Sequence, residues 1–255
     1  MFLELSSQCQ INYQLISGDL AKPYLVFLHE GLGSIKQWKG YPELLCEATG
    51  CPGLVYDRQG YGESSALTKE RSIHYIHEYA LQELPSVLSA VIPNQQYILI
   101  GHSDGGSISL IAASEQRALL QGVITEAAHV FVEDETLAGI ALADQAWNEG
   151  KLTGLNKYHG EKTAQTFKAW SVTWQQSAFK YWNIEYLLPS IEVPILVIQG
   201  KDDQYGSLKQ VDSIVQNSQH GSAKIIAKCA HVPHLEAQLE TLHEMCGFIT
   251  EIYAH

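Results

Sequence analysis

Tyr97-Ile98-Leu99-Ile100-Gly101-His102-Ser103-Asp104-Gly105-Gly106 is the stretch that decides the fold. Its first four residues form an uninterrupted apolar run, which reads as a strand covered on both faces. Gly101 to Gly105 then have the form Gly-x-Ser-x-Gly. Residues 107–113 that follow, Ser-Ile-Ser-Leu-Ile-Ala-Ala, are compatible with a helix. Strand, sharp turn and helix would lift Ser103 to the tip of the turn with its hydroxyl free. The glycines suit that geometry because the turn is tight and the neighbouring backbone crowds the serine.

The same kind of apolar run recurs along the chain, at 25–28, 53–56, 122–125 and 195–199. Each is short, rich in Val, Ile, Leu or Tyr, and followed by Gly, Asp, His or Glu. Between the runs lie stretches with helical spacing. Leu81, Leu84, Val87, Leu88 and Val91 fit one helix face, as do Leu208, Val211, Ile214 and Val215. Pro85 should kink or restart the helix over 73–91. Buried strands alternating with helices predict an α/β fold with a mostly parallel, doubly wound sheet. Ligands bind such sheets at the carboxyl ends of the strands, so the chemistry is expected just after each run.

Residues 133–187 break the rhythm, with helical patterns and no convincing strand. They carry Trp147, Trp170, Trp174 and Trp182, four of the five tryptophans. A helical cap (133–187) inserted into a core domain (1–132 and 188–255) explains both features. Trp147, Trp170 and Trp174 are its candidate substrate contacts. Phe167, Trp170 and Trp174 lie at i, i+3 and i+7, a stripe that reads more readily as core than as pocket.

A serine hydroxyl is a poor nucleophile near neutral pH and needs a base, which in turn needs an orienting group. The run at 195–199 is followed by Gly200-Lys201-Asp202-Asp203, and later come His231-Val232-Pro233-His234. Ser, Asp, His is the chain order of one well-defined class of serine hydrolases. Either aspartate could be the acid and either histidine the base. A metal site at the His-x-x-His pair would need further ligands, and no matching cluster accompanies it. The oxyanion of the reaction requires two donors. One is the backbone N–H after the nucleophile, that of Asp104. The other is expected in His29-Glu30-Gly31-Leu32-Gly33-Ser34, where Gly31 is the candidate.

These residues resemble the α/β-hydrolase superfamily over essentially the whole chain. The resemblance rests on the His29 loop, the elbow at Ser103, and the acid and histidine segments. It also rests on Asp57-Arg58-Gln59-Gly60-Tyr61-Gly62-Glu63-Ser64. It implies the α/β-hydrolase fold, Asp203 as the acid from the Gly-x-x-Asp spacing, and His231 as the base. Within the superfamily the chain looks most like small capped esterases of the valacyclovir hydrolase (biphenyl hydrolase-like) type. The shared features are Ser103-Asp104-Gly105-Gly106 and residues 127–135. That likeness implies that Asp104 could recognise a substrate's α-amino group. Two departures stand out. Glu30 replaces the usual glycine after His29, and Gln59 stands where relatives often carry Arg, with Arg58 before it. The second is expected to affect only a structural loop.

Composition sets the outer limits. With 45% hydrophobic and 17% charged residues the chain can bury a sizeable core. A net charge of −12 argues against nucleic acid or an anionic membrane surface as partner. Met1 to Gln10 lack a basic, then apolar, secretory leader. Five cysteines in no disulfide or metal spacing read as free thiols of a cytoplasmic protein. The expectation is a cofactor-free and metal-free serine hydrolase of small carboxylic esters, acting through an acyl-enzyme, with amino-acid esters as a candidate preference. The alternatives are a carbon–carbon bond hydrolase of a dienoate-type ketone, a lactonase or amide hydrolase, and a non-catalytic ligand receptor on the same fold.

Overall fold

The computed structural model describes residues 1–115 and 118–253. Its strands are β1 (Phe2–Ser6), β2 (Cys9–Ile16), β3 (Tyr24–Leu28), β4 (Gly53–Tyr56), β5 (Tyr97–His102), β6 (Leu120–Glu126), β7 (Ile195–Gly200) and β8 (Gly221–Ile226). They form one sheet in the order β1-β2-β4-β3-β5-β6-β7-β8. From β4 to β8 across the sheet every pairing is parallel; β1 and β2 add an antiparallel hairpin at one edge.

The five runs read from the sequence are β3, β4, β5, β6 and β7. Three strands escaped that reading, and each for the same reason. β1, β2 and β8 are half-exposed, so their apolar residues alternate or are diluted instead of running on. The central strands are covered on both faces. Along β3, Leu25 and Phe27 pack with Trp38, Tyr41, Met245 and Ile249. Val26 and Leu28 point the other way and pack with Leu84, Ile108 and Ile111. Helices Tyr41–Thr49 and Gln238–Tyr253 supply part of the first layer, and Leu84–Val91 and Asp104–Ala113 part of the second.

The helix expected over 73–91 is assembled from three pieces. Tyr75–Glu78 is α-helical, Tyr79–Glu83 is a π turn, and Leu84–Val91 restarts with Pro85 in its first turn. Proline has no N–H to donate and its ring displaces the carbonyl four residues earlier, so the chain widens before it.

Between β6 and β7 the described residues build helices Asp134–Asn148, Asn156–His159 and Thr163–Trp174. The two ends of this segment are fastened to each other. Phe131 forms an antiparallel bridge with Asn183, and the Ile184 N–H donates to Val130 O at 2.7 Å. Among the described residues no helix is long and apolar enough to cross a membrane. All five cysteines are free.

Candidate active site

β5 ends at His102 and the next helix begins at Asp104, so Ser103 alone makes the turn. Its backbone sits at φ 52°, ψ −115°, a conformation L-residues rarely hold. The crowding around it explains the two flanking glycines. A Cβ on Gly101 would lie 2.1 Å from Gly105 O, and one on Gly105 would lie 1.9 Å from Leu28 O. The Ser103 N–H donates to Glu126 O at 2.8 Å, which ties the elbow to β6.

Asp203 lies in the turn after β7. Its carboxylate accepts from Tyr205 N–H at 2.8 Å, from Gln199 Nε2 at 2.8 Å, and from His231 Nδ1, which lies 2.9 Å from both oxygens. Burial opposes ionisation, but the hydrogen bond and charge of His231 and the Tyr205 N–H outweigh it and hold Asp203 below its usual range. An ionised carboxylate only accepts, so in a neutral His231 the ring proton sits on Nδ1 and Nε2 is left with its lone pair. His102 Nε2 donates to His231 O at 2.7 Å and fixes the loop. Burial and the neighbouring imidazoles keep His102 neutral.

The other members of each ambiguous pair go elsewhere. Asp202 is exposed at the surface. His234 is buried, with its Nδ1 and backbone N–H both on Glu126 Oε2 at 2.9 and 3.0 Å. No group of three or more His, Cys, Asp or Glu among the described residues could hold a metal ion.

The loop after β3 is braced from behind by Arg58. Its Nη1 donates to His29 O, its Nη2 to Glu30 O at 3.0 Å, and its N–H to His29 Nε2 at 3.1 Å. His29 Nδ1 donates to Glu30 O at 2.8 Å, a tautomer secured because burial and the Arg58 charge hold the ring neutral. With the carbonyls drawn toward Arg58, the N–H groups of Gly31 and Asp104 have no protein acceptor among the described residues. Gln59 does stay in a structural loop, donating its N–H to Glu83 and its side-chain amide to Ala66 O. Arg58 was the residue to notice, and only its displaced position signalled it.

Ser103, His231, Gly31 and Asp104 line one cavity of about 690 Å³ whose far wall comes from helices Asp134–Asn148 and Thr163–Trp174. Trp170 and Trp174 line it too. Trp170 Nε1 lies 2.5 Å from where a Gly31 Cβ would sit, so Thr163–Trp174 rests directly on the loop after β3. Trp147 does not line the cavity, contrary to the sequence expectation. It stacks on Phe167 with ring centroids 4.4 Å apart and planes at 8°. The apolar stripe thus divides: Phe167 turns into the core, while Trp170 and Trp174 line the cavity that Ser103 also lines. Helical spacing alone carries no information on that division.

Asp104 reaches the cavity with its carboxylate already engaged. Tyr75 Oη donates to Asp104 Oδ2 at 2.7 Å, and Trp174 Nε1 donates to Tyr75 Oη at 2.7 Å. The Arg71 guanidinium lies 4.5 Å from the Tyr75 ring centroid. Glu30, His129 and Tyr205 also face the cavity and were not expected there. Burial and the charge of His231 push His129 down to about 4, so this second imidazole stays neutral.

This sheet, with Ser103 at the turn after β5, has the α/β-hydrolase fold. The chain belongs to the Alpha/beta hydrolase family, whose model matches residues 25–244. It is similar to 2-succinyl-6-hydroxy-2,4-cyclohexadiene-1-carboxylate synthases. The one from Klebsiella pneumoniae is 27% identical over 171 residues, 66% of this chain and 59% of the relative. The one from Serratia proteamaculans is 29% identical over 171 residues, 65% of this chain and 58% of the relative. The match therefore spans less than two thirds of the length of these relatives. Among solved structures, the fold is shared with the enol-lactonase of Burkholderia xenovorans LB400 (TM-score 0.76, 16% identity, covering 98% of this chain and 100% of that one). It is shared equally with a carboxylesterase structure from Nitrososphaera gargenis (TM-score 0.77, 17% identity, 100% and 99% covered).

Proposed function

We propose that the protein is a serine hydrolase of small carboxylic esters, with Ser103 as nucleophile, His231 as base and Asp203 as its orienting acid. The observation that carries this reading is the convergence on one cavity of an elbow serine, a histidine whose far nitrogen is held by a carboxylate, and two amides without acceptors. His231 Nε2 takes the Ser103 proton as Oγ attacks the ester carbonyl. The Gly31 and Asp104 N–H groups receive the developing oxyanion. Collapse of the tetrahedral intermediate expels the alcohol, which leaves with the proton from His231. Water then adds to the acyl-enzyme by the same base, and the carboxylic acid departs. No step calls on a metal or organic cofactor. The five free thiols support a cytoplasmic setting.

The activity named for the curated relatives has less support. Their named product carries a ring carboxylate and a succinyl group, whereas the cavity lining here has Glu30, Asp104 and Glu135 and no Lys or Arg. A panel of p-nitrophenyl esters, amino-acid esters, a lactone and a dienoate ketone tests the reading. Ester turnover that disappears in Ser103→Ala, by on the order of 10⁶ in kcat, is the expected result. Turnover of the ketone or lactone alone, or a Ser103→Ala variant retaining about a tenth of the activity, would refute it.

A further inference from the structure

His129 is the cavity residue that this mechanism leaves without a task. It follows β6, and the Ser107 hydroxyl holds its backbone on both sides, donating to its carbonyl at 2.6 Å and accepting its N–H at 3.3 Å. Its ring lines the cavity, 6.2 Å from the His231 ring and 5.4 Å from the Trp174 ring between centroids. The residue is only 3% exposed, yet neither ring nitrogen has a hydrogen-bond partner among the described residues. The two nitrogens differ in their surroundings. Nδ1 is sealed and lies 3.4 Å from where a Gly206 Cβ would sit, against the turn that carries Asp203. Nε2 is not sealed, and its open side is the cavity.

A neutral imidazole carries one N–H. At Nδ1 that N–H would be a buried donor which no acceptor can reach, whereas at Nε2 the cavity can bring one. The proton therefore sits on Nε2 and points at whatever fills the cavity. Burial and the charge of His231 push the ring down to about 4, so the donor carries no charge at neutral pH. The acceptor it suits is uncharged too, because Glu30, Asp104 and Glu135 line the same wall with no Lys or Arg and would repel an anion.

We propose that His129 is a specificity-determining donor whose Nε2–H binds a second, uncharged oxygen of the substrate, so that the preferred esters carry an ether or carbonyl oxygen away from the scissile group. The proposal rests on the serine-hydrolase reading and deepens it. A hydrocarbon in that place would leave the N–H buried without a partner, and the site discriminates against it for that reason.

The test uses two pairs of esters that differ by one CH₂ exchanged for O. Ethyl 3-methoxypropanoate against ethyl pentanoate places the oxygen on the acyl side. The pair 2-methoxyethyl butanoate and butyl butanoate places it on the alcohol side. Each ratio of kcat/KM is divided by the ratio of alkaline hydrolysis rates for the same pair, which removes intrinsic reactivity. The wild type should favour the ether of one pair by about fivefold, the yield of one neutral hydrogen bond. His129→Phe keeps a ring against Trp174 and removes the donor, so that preference should disappear. A preference for the hydrocarbon in both pairs, the result of a wall without a donor, overturns the proposal from the wild type alone, whether or not His129→Phe folds. So does the absence of any preference, and so does a preference that survives His129→Phe, which would belong to another donor of the wall. Turnover of none of these esters would refute the serine-hydrolase reading along with it.

Discussion

Replacing Asp203 by Asn should all but stop turnover while leaving a folded protein. Four contacts converge on this carboxylate: His231 Nδ1 on both oxygens, Tyr205 N–H on Oδ1 and Gln199 Nε2 on Oδ2. An amide has one accepting oxygen. Its NH₂ must face either Tyr205 N–H or the Gln199 amide, a donor against a donor, which costs about 1–3 kcal/mol of stability. The effect on rate is larger. His231 loses the negative partner that stabilises its protonated form, or turns over to the tautomer with the proton on Nε2, where it cannot act as a base. That should cost about 10⁴ in kcat, or about 5 kcal/mol of barrier. Asp202→Asn is the control, because Asp202 is exposed and its neighbour makes the contacts. It should cost less than about threefold, the effect of half a kcal/mol. Initial rates on p-nitrophenyl butyrate, with thermal melts of the same preparations, measure both. The pH dependence offers a second readout. Asp203 titrates below its usual value in the folded state, so its stabilisation is present above the unfolded pKa and is lost as pH falls through the folded one. The Asn variant should lack that part of the acid limb. An Asp203→Asn enzyme with more than a tenth of wild-type kcat, or one less impaired than Asp202→Asn, would refute the reasoning.

Trp170→Phe should change relative rates across acyl chain lengths, because Trp170 lines the cavity against Gly31. One methylene of fit is worth about 1–3 kcal/mol of discrimination. Trp147→Phe should lower the melting temperature and leave those ratios alone; an altered chain-length profile would show that its stack with Phe167 shapes the pocket. Gly105→Ala should fail to yield folded protein, since its Cβ would meet Leu28 O at 1.9 Å, and normal expression with a wild-type melt would contradict that geometry. Glu83 is pushed up to about 7 by burial, with Oε2 on Gln59 N–H and Oε1 unpartnered. The folded state therefore holds a proton that the unfolded chain releases, and stability should fall as pH rises from about 4.5 to 7, by on the order of 3 kcal/mol. Urea melts of Glu83→Gln should show a flatter profile there, and an unchanged slope would assign the effect elsewhere.

The reach of the sequence followed burial. Strands covered on both faces wrote themselves as continuous apolar runs, and the elbow carried its own punctuation in Gly101 and Gly105. The edge hairpin and β8, half in water, left no such trace. In the site, residues tied to backbone position were legible: Ser103 after a strand, Asp203 after another, and Gly31 in a loop. Side chains that meet across long sequence separations were not. Arg58 under His29, Tyr75 between Asp104 and Trp174, and His102 on the His231 carbonyl depend on how layers stack, which no local spacing encodes. Trp147 was misread for the same reason. Glu30 was visible as a departure from pattern, but its place in the cavity wall could be seen only in three dimensions.

The stitch between Phe131 and Asn183, backed by Ile184 on Val130, has an evolutionary reading. The excursion that carries the cap leaves the core and returns at one point. Its closure is settled at that stem, so the length of what lies between matters little to the scaffold; doubling it would raise the closure cost by only about 0.6 kcal/mol. Ser103, Asp203 and His231 lie outside the excursion, while much of the cavity wall lies within it. A replacement between residues 132 and 182 therefore leaves Ser103, Asp203 and His231 where they are, but it must resupply the contacts that His159 and Trp170 make with the loop after β3. In this architecture a new specificity is a graft, and the stem is the cut site.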